Sequence, residues 1–165
     1  MKGWTQKMLD ELTYTIIGCA IEVNKQIGPG LLESLYEKCL IFELNKQGLL
    51  TASQQTVPLV YKGHDLETNL RLDILVENQI IVEVKATDKI HPIHEATLLT
   101  YMKLLEKPKG IIINFNCTNI VKEGQKTLVN EHYQALPKDH STFTSIRAKY
   151  PNKSQKIKPN RTPPQ

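Results

Sequence analysis

The chain has 165 residues, 40% of them hydrophobic, and a formal net charge of +4. This length allows one domain with a substantial core and leaves little room for a second. No apolar stretch reaches the roughly 18 residues of a membrane span, and the first residues lack the apolar centre of a signal peptide, so we expect no membrane association.

Cysteine usage and the distribution of charge indicate the setting of the protein. The three cysteines lie far apart and contain no C-x-x-C pair, which argues against a zinc site or a disulfide framework and favours a reduced, cytoplasmic protein. Residues 138–165 contain seven Lys or Arg residues and one Asp. We therefore expect a globular domain over residues 1–136 and a basic, proline-containing, disordered tail over residues 137–165.

Two helices are predicted before residue 48. Apolar residues at three- and four-residue spacing predict an amphipathic helix over Thr5–Ile27, which Gly28-Pro29-Gly30 ends. A second helix is predicted from about Leu31 to Gln47. The expected buried residues are Leu9, Leu12, Ile16, Ala20, Val23 and Ile27 in the first helix, and Leu32, Leu35, Cys39 and Phe42 in the second, with Tyr36 as an additional candidate.

Alternating apolar residues predict three antiparallel strands in the middle of the chain. The first lies within residues 49–61, where Pro58 indicates an edge position or a strand start, and residues 62–65 form a turn. The second and third strands, Leu70–Val76 and Ile80–Lys85, form a β-hairpin joined by the polar residues 77–79.

The length of this connection decides which side chains meet across the hairpin. A three-residue loop gives only apolar pairs on one face, namely Val76–Ile80, Ile74–Val82 and Leu72–Val84. A two-residue loop pairs apolar with polar residues, so we prefer the first register. It places Asp73 opposite Glu83 and Arg71 opposite Lys85.

Two carboxylates on opposed strands repel each other unless a cation lies between them. Lys85, Arg71 or a divalent metal ion could supply that charge. Mg²⁺ binds to one or two carboxylates together with water and substrate phosphates, and Lys85 could stabilise charge on a reacting phosphate. The alternative is an exposed salt-bridge patch of Asp73, Glu83 and Lys85 without a metal.

A third helix is predicted from Pro92 to about Leu105. His94, Thr97 and Tyr101 line up on one face, and a second set can face the core: Ile93, Ala96, Leu99 and Met102. The apolar run 111–115 predicts a buried strand, which a crossover through this helix would place parallel to strand 80–85. A last short strand is predicted at residues 126–129.

The segment Gly30-Leu31-Leu32-Glu33-Ser34-Leu35-Tyr36 has the pattern GxxExxY. Together with Leu70-Arg71-Leu72-Asp73, Glu83-Val84-Lys85 and His94-Glu95-Ala96, in this order, the chain resembles the GxxExxY family of the PD-(D/E)XK nuclease superfamily. The resemblance covers about residues 9–129. It implies an α/β fold with an αβββαβ core, in which helices flank a central mixed β-sheet.

The resemblance also implies a metal-dependent nuclease acting on DNA or RNA. Glu33 would join Asp73 and Glu83 around Mg²⁺ or Mn²⁺, and Lys85 would be the catalytic lysine. Members of this kind often carry Gln at the position of Thr97, and Thr cannot make the paired contacts of an amide. The rival expectation is therefore an inactive module that keeps the fold and binds nucleic acid or protein.

Several other residues have two possible roles. Tyr36 and Tyr101 either pack against the acids or fill the core, while His91 and His94 are either metal ligands or structural hydrogen-bonding groups. We count Tyr36, Arg71, His94, Thr97 and Tyr101 as supporting residues of the site. Basic tail residues expected either to bind nucleic acid without sequence preference or only to increase solubility are Arg147, Lys149, Lys153, Lys156, Lys158 and Arg161. The oligomeric state is left open, and a homodimer is compatible with the sequence.

Overall fold

A five-stranded mixed β-sheet forms the centre of the fold and carries helices on both faces. The computed structural model describes residues 3–139. The helices are α1 Gln6–Ile27, α2 Glu33–Lys46, α3 Pro92–Leu104, α4 Ile120–Glu123 and α5 Glu131–Gln134. The strands are β1 Thr51–Thr56, β2 Leu59–Tyr61, β3 His64–Leu66, β4 Arg71–Val76, β5 Ile80–Lys85, β6 Lys109–Asn114 and β7 Gln125–Val129.

The strand order of the central sheet is β1-β4-β5-β6-β7, and β2 and β3 form a separate hairpin. Strands β5 and β6 are parallel and connected through α3, whereas the other neighbours are antiparallel. The predicted α/β class and the αβββαβ order of the core are confirmed, as is the parallel crossover. The last strand begins one residue earlier than predicted.

Two apolar cores lie on opposite faces of the sheet. Val82 packs under α1 and α2, and its neighbour Ile81 packs under α3, because successive residues of a strand point to opposite faces. Gly110 permits a close approach of α3 to β6, since a Cβ atom there would lie 2.7 Å from Leu98 Cδ1. Because both faces of the sheet are covered, its central strands need apolar residues at nearly every position.

Helix α1 agrees with its prediction to within one residue. The Thr5 side chain caps it by accepting a hydrogen bond of 3.1 Å from the Met8 backbone N–H. The predicted buried residues Leu9, Leu12, Ile16, Ala20 and Val23 are in the core. The prediction is wrong for Ile27, which is 40% exposed because it lies at the last turn, beyond the edge of the sheet.

Helix α2 carries two apolar stripes, and the prediction is correct only for its additional candidate Tyr36. Tyr36, Leu40 and Leu44 are buried. The stripe predicted to be buried is largely exposed: Leu32 73%, Leu35 42% and Phe42 66%, with Cys39 only partly buried. Both stripes have helical spacing, so periodicity could not distinguish between them; packing of Tyr36 against the sheet decides the rotation of the helix.

The predicted core face of α3 is also mostly wrong. Of that set only Met102 is buried, together with Leu98 and Tyr101, while Ile93 is 66% and Leu99 42% exposed. The helix is rotated so that Leu98 and Met102 lie over Gly110 of β6. This rotation also buries Tyr101 in the core under α3, where the charges of Glu83 and Asp73 still act on it, so the two predicted placements coincide.

The region predicted as one strand within residues 49–61 is divided. Strand β1 ends at Thr56, Val57 is buried under α3, and Pro58 precedes the small β2–β3 hairpin. Pro58 thus directly precedes a strand start, which is one of the two roles predicted for it. The turn predicted over residues 62–65 is limited to Lys62 and Gly63, because His64 and Asp65 belong to β3.

The end of the described chain lies against the beginning of α1. The backbone N–H groups of Gln6 and Lys7 donate to the carbonyls of Pro137 and Lys138. No helix within residues 3–139 is long and apolar enough to cross a membrane. The tail residues predicted to bind nucleic acid, Arg147, Lys149, Lys153, Lys156, Lys158 and Arg161, lie outside the described residues.

Candidate active site

The β4–β5 hairpin begins in the predicted register. Val76 pairs with Ile80, and Ile74 pairs with Val82, across a three-residue connection. The two-residue alternative is therefore excluded. The regular ladder ends at the pair Ile74–Val82. Asp73 and Glu83 are the next residues on the two strands, on the side away from the turn.

Strand β4 changes its orientation at Asp73. Leu72 and Ile74 are two residues apart and would share a face in a regular strand. Instead, Leu72 packs under α3, whereas Ile74 packs under α1 and α2. The strand therefore rotates at Asp73, and the Asp73 side chain is free to occupy the space between β4 and β5.

Three predicted pairs are absent from the β4–β5 ladder after this rotation. Leu72 does not pair with Val84, and Arg71 does not pair with Lys85. Asp73 does not pair with Glu83 through the backbone either, although the Asp73 N–H donates to the Glu83 carboxylate. Arg71 instead pairs with Thr56 of β1. Its guanidinium group donates to the backbone carbonyl of Gln54 at 3.4 Å. Arg71 therefore stabilises β1, whereas Lys85 supplies the positive charge next to Glu83.

The acids Asp73 and Glu83 are joined by reciprocal hydrogen bonds to backbone groups. The Val84 N–H donates to Asp73 Oδ2 at 2.8 Å, and the Asp73 N–H donates to Glu83 Oε1 at 3.4 Å. The two carboxylates thus take the place of backbone carbonyls as hydrogen-bond acceptors where the strands separate. The two carboxylates are held next to each other at the end of β5 that leads to α3.

Lys85 lies beside this acid pair. Its Nζ is 3.6 Å from Glu83 Oε2, and the side chains of Lys85 and Glu83 are 21% and 7% exposed. The two residues alternate with Val84 and so share the face of β5 that α3 covers. A cation and two carboxylates therefore meet at a partly enclosed position.

The electrostatics of the pair show that its negative charge is only partly compensated. Burial, followed by the charge of Asp73, raises the pKa of Glu83 to about 7. Burial also raises the pKa of Asp73, although the Val84 N–H and the Lys85 charge act in the opposite direction. One lysine does not offset the desolvation of two adjacent carboxylates, and a bound divalent cation would.

The loop between α1 and α2 brings Glu33 to the same edge. Gly30 adopts φ 110°, which favours glycine, and the Tyr36 hydroxyl donates to the Gly28 carbonyl at 2.6 Å and accepts from the Leu31 N–H at 3.1 Å. Glu33, the first residue of α2, accepts a hydrogen bond of 3.1 Å from the Ala86 N–H. In the GxxExxY pattern, Gly30 and Tyr36 thus shape the loop, and Glu33 connects it to the end of β5.

Tyr36 belongs to the core rather than to the acid pair. It is fully buried, and its ring stacks on Phe115 with centroids 4.6 Å apart and an angle of 4° between the ring planes. The stacking fixes α2 against the end of β6. Tyr36 therefore acts on the site indirectly, by holding the first turn of α2 in place.

Helix α3 contributes His94 and Tyr101 to the surroundings of the site. His94 Nδ1 accepts a hydrogen bond of 3.1 Å from the His91 N–H, and burial together with the Lys85 charge lowers the pKa of His94. His91 contacts Asp88 at 2.8 Å, which is the structural role considered for it. Burial, followed by the charge of Glu83, raises the pKa of Tyr101.

A sequence profile of the PD-(D/E)XK nuclease superfamily matches residues 10–128. The match spans most of the chain and includes every residue of the site described above. The chain belongs to this superfamily. No curated protein and no solved structure matches it with significance.

Members of the superfamily generally use divalent metal ions, so the donor set must be tested for one. Within residues 3–139, no three His, Cys, Asp or Glu side chains come together closely enough to form a metal cluster. Asp73 and Glu83 nevertheless fit Mg²⁺, which binds to one or two carboxylates and keeps several water molecules. The partly uncompensated charge of the pair supports the same assignment.

Sequence reasoning missed two residues near the acids, Glu37 and Gln54. The Gln54 amide donates to both carboxylate oxygens of Glu37, at 2.9 and 3.1 Å, and interacts with Asp73. Burial raises the pKa of Glu37, and the charge of Asp73 adds to this effect. The four-residue spacing of Glu33 and Glu37 on α2 was the available signal, but nothing in β1 marked Gln54.

Proposed function

We propose that the protein is a divalent-metal-dependent nuclease. The observation that carries the proposal is the pair of half-buried Asp73 and buried Glu83, held by hydrogen bonds across β4 and β5 beside Lys85 in a member of the nuclease superfamily. A like-charged pair withdrawn from solvent in this way costs stability, and such costs concentrate at functional sites. A structural salt bridge would need only one acid.

In this proposal, Asp73 and Glu83 hold Mg²⁺ or Mn²⁺, and Glu33 adds a further oxygen directly or through water. The bound ion lowers the pKa of a water molecule and neutralises charge on the scissile phosphate. Lys85 positions or deprotonates the attacking water and stabilises the charge that develops on the phosphate. Membership of the GxxExxY family within the superfamily is part of the same proposal.

The substrate of the proposed reaction is DNA or RNA. The basic residues beyond Asp139 would add affinity for the phosphate backbone that does not depend on sequence and that weakens with salt. Asp139 and α1 meet where α1 begins, and Asp10 on the same part of α1 contacts Lys109 at the start of β6, at 2.6 Å. Since the acids lie towards the other end of β5 and β6, the last described residue, Asp139, lies on the side of the domain away from them.

The proposal is tested by cleavage of single- and double-stranded DNA and RNA with Mg²⁺ or Mn²⁺. Lys85→Ala and Asp73→Asn should each reduce the rate by at least ~100-fold, as expected when an electrostatic contact to the transition state is removed. Matched controls are Lys103→Ala and Asp65→Asn, both at exposed positions. Equal rates in wild type and in the two site variants would reject the proposed nuclease activity.

A second candidate is a binding module that has lost turnover. Thr97 favours it, because a threonine side chain has no amide to offer to the acids. Its hydroxyl donates to the Ile93 carbonyl of its own helix at 2.9 Å. Calorimetric titration with Mn²⁺ separates the two candidates. Nucleic-acid binding without measurable Mn²⁺ affinity would support the module, and Mn²⁺ binding abolished by Asp73→Asn would support the nuclease.

A further inference from the structure

Gln54 has an unusual backbone conformation for a residue within a β-strand. Its φ is 52°, in the left-handed region that few residues other than glycine and asparagine adopt. It lies in the middle of β1, an edge strand, and no turn requires this conformation. A strained residue inside a regular element calls for a local cause.

The conformation coincides with a gap in the sheet opposite Asp73. Strand β1 pairs with β4 at Ser53–Ile74 and at Gln55–Leu72, but the pair between them, Gln54 with Asp73, is missing. Asp73 is also the point where β4 rotates. The irregularities of the two strands therefore face each other at the same position.

Both irregularities aim polar side chains at the same place. The Gln54 amide binds to both oxygens of Glu37 and interacts with the Asp73 carboxyl. Arg71 donates to the Gln54 carbonyl at 3.4 Å. The backbone of Gln54 is thus held on one side by Arg71, and its side chain is held on the other side by Glu37.

A donor in contact with an acidic ligand fixes the orientation of that ligand, and such outer contacts matter nearly as much as the ligands themselves. In related nucleases an amide on the third helix helps to orient the site, but here Thr97 occupies that position and bonds to its own helix. Gln54 offers an amide from the opposite side of the acids, on β1. Its amide bonds to Glu37, and its place in β1 lies opposite Asp73, where the strand pair is missing.

We infer that Gln54 is a positioning residue, which orients the Asp73 carboxylate for metal binding in place of the missing amide on α3. The inference rests on the proposed metal site. Glu37 serves in it as the anchor of the Gln54 amide rather than as a ligand. The left-handed backbone of Gln54 coincides with the missing pair opposite Asp73, and the Gln54 amide bonds to Glu37 of α2 from this position.

The test uses Gln54→Asn in the full chain. Asparagine tolerates the left-handed conformation, but its amide is shorter by one C–C bond, about 1.5 Å, and falls short of the acids. We expect Mn²⁺ affinity by calorimetry to fall about tenfold or more, in the range found for outer contacts of metal ligands, while the melting temperature of the metal-free protein stays at the wild-type value. Gln55→Asn, at the next position of β1, is the matched control and should bind Mn²⁺ as the wild type does.

A Mn²⁺ dissociation constant of Gln54→Asn within twofold of the wild type would overturn the inference and leave the proposed function intact. Failure of the wild type to bind Mn²⁺ would instead reject the proposed metal site itself. If Gln54→Asn does not fold, Glu37→Ala removes both acceptors of the Gln54 amide from the helix side and should weaken Mn²⁺ binding by at least threefold. Loss of folding in both variants would assign Gln54 a structural role and overturn the inference.

Discussion

Replacing Glu83 by glutamine should stabilise the metal-free protein, and the gain should grow with pH. Glu83 is 5% exposed, and burial beside Asp73 raises its pKa to about 7 from the ordinary 4.5. A difference of this size corresponds to roughly 3 kcal/mol between the ionised and protonated forms. Glutamine has nearly the same shape and carries no charge, so it avoids this penalty.

The sign of the pH dependence follows from the direction of the pKa change. Because the folded state binds the Glu83 proton more tightly than the unfolded state does, the contribution of Glu83 to stability is fully present below about pH 4.5. It is lost as the pH rises through about 7. The free energy of unfolding of Glu83→Gln, relative to wild type, should therefore rise by about 3 kcal/mol between pH 4.5 and pH 8.

Urea unfolding at a series of pH values measures this difference, with Glu67→Gln, at an exposed position of the β3–β4 connection, as the control. Mn²⁺ at 100 times its dissociation constant should stabilise the wild type by about 2.7 kcal/mol and Glu83→Gln by much less. A difference between wild type and Glu83→Gln that does not change with pH would refute the assigned burial of charge. Equal stabilisation of both proteins by Mn²⁺ would refute Glu83 as a ligand.

Three further changes test other parts of the molecule. Tyr36→Phe leaves two backbone groups of the α1–α2 loop without their hydroxyl partner and should cost about 1–2 kcal/mol in urea unfolding; an unchanged midpoint would contradict this role. Asp10→Ala removes the carboxylate 2.6 Å from the buried Lys109 Nζ and should cost about 1–2 kcal/mol, since Asp10 itself is exposed, whereas a change below about 0.5 kcal/mol would show that water replaces it. Removal of residues 140–165 should weaken DNA binding and make its dependence on salt shallower, and an unchanged salt slope by fluorescence anisotropy would exclude the tail as a phosphate-binding segment.

Patterns with one apolar face were reliable guides to this fold. The period of two in residues 70–85 determined the hairpin and its register near the turn, because any other register would pair apolar with polar side chains. The apolar run before Asn114 determined a buried strand, and the helix before it determined a parallel crossover. The order of the motifs was sufficient to indicate the superfamily, which the profile match confirms.

Helix rotation was beyond the reach of periodicity. Helix α2 has apolar residues on two sides, and only the stacking of Tyr36 on Phe115 determines which side is buried. Helix α3 likewise turns Tyr101 towards the sheet and Ile93 towards solvent. In both helices the choice depends on the surface of the sheet underneath, which local sequence does not contain.

The sequence by itself determined that Asp73, Glu83 and Lys85 lie on adjacent strands, because hydrophobic alternation and loop length fix a hairpin locally. Only the tertiary structure decided that β4 rotates at Asp73, that Asp73 accepts from the Val84 N–H while its own N–H donates to Glu83, and that Gln54 has a left-handed backbone. Those features depend on which helix covers each face and on where the strands separate. They are set by packing between segments far apart in the chain, and no spacing of residues along it encodes them.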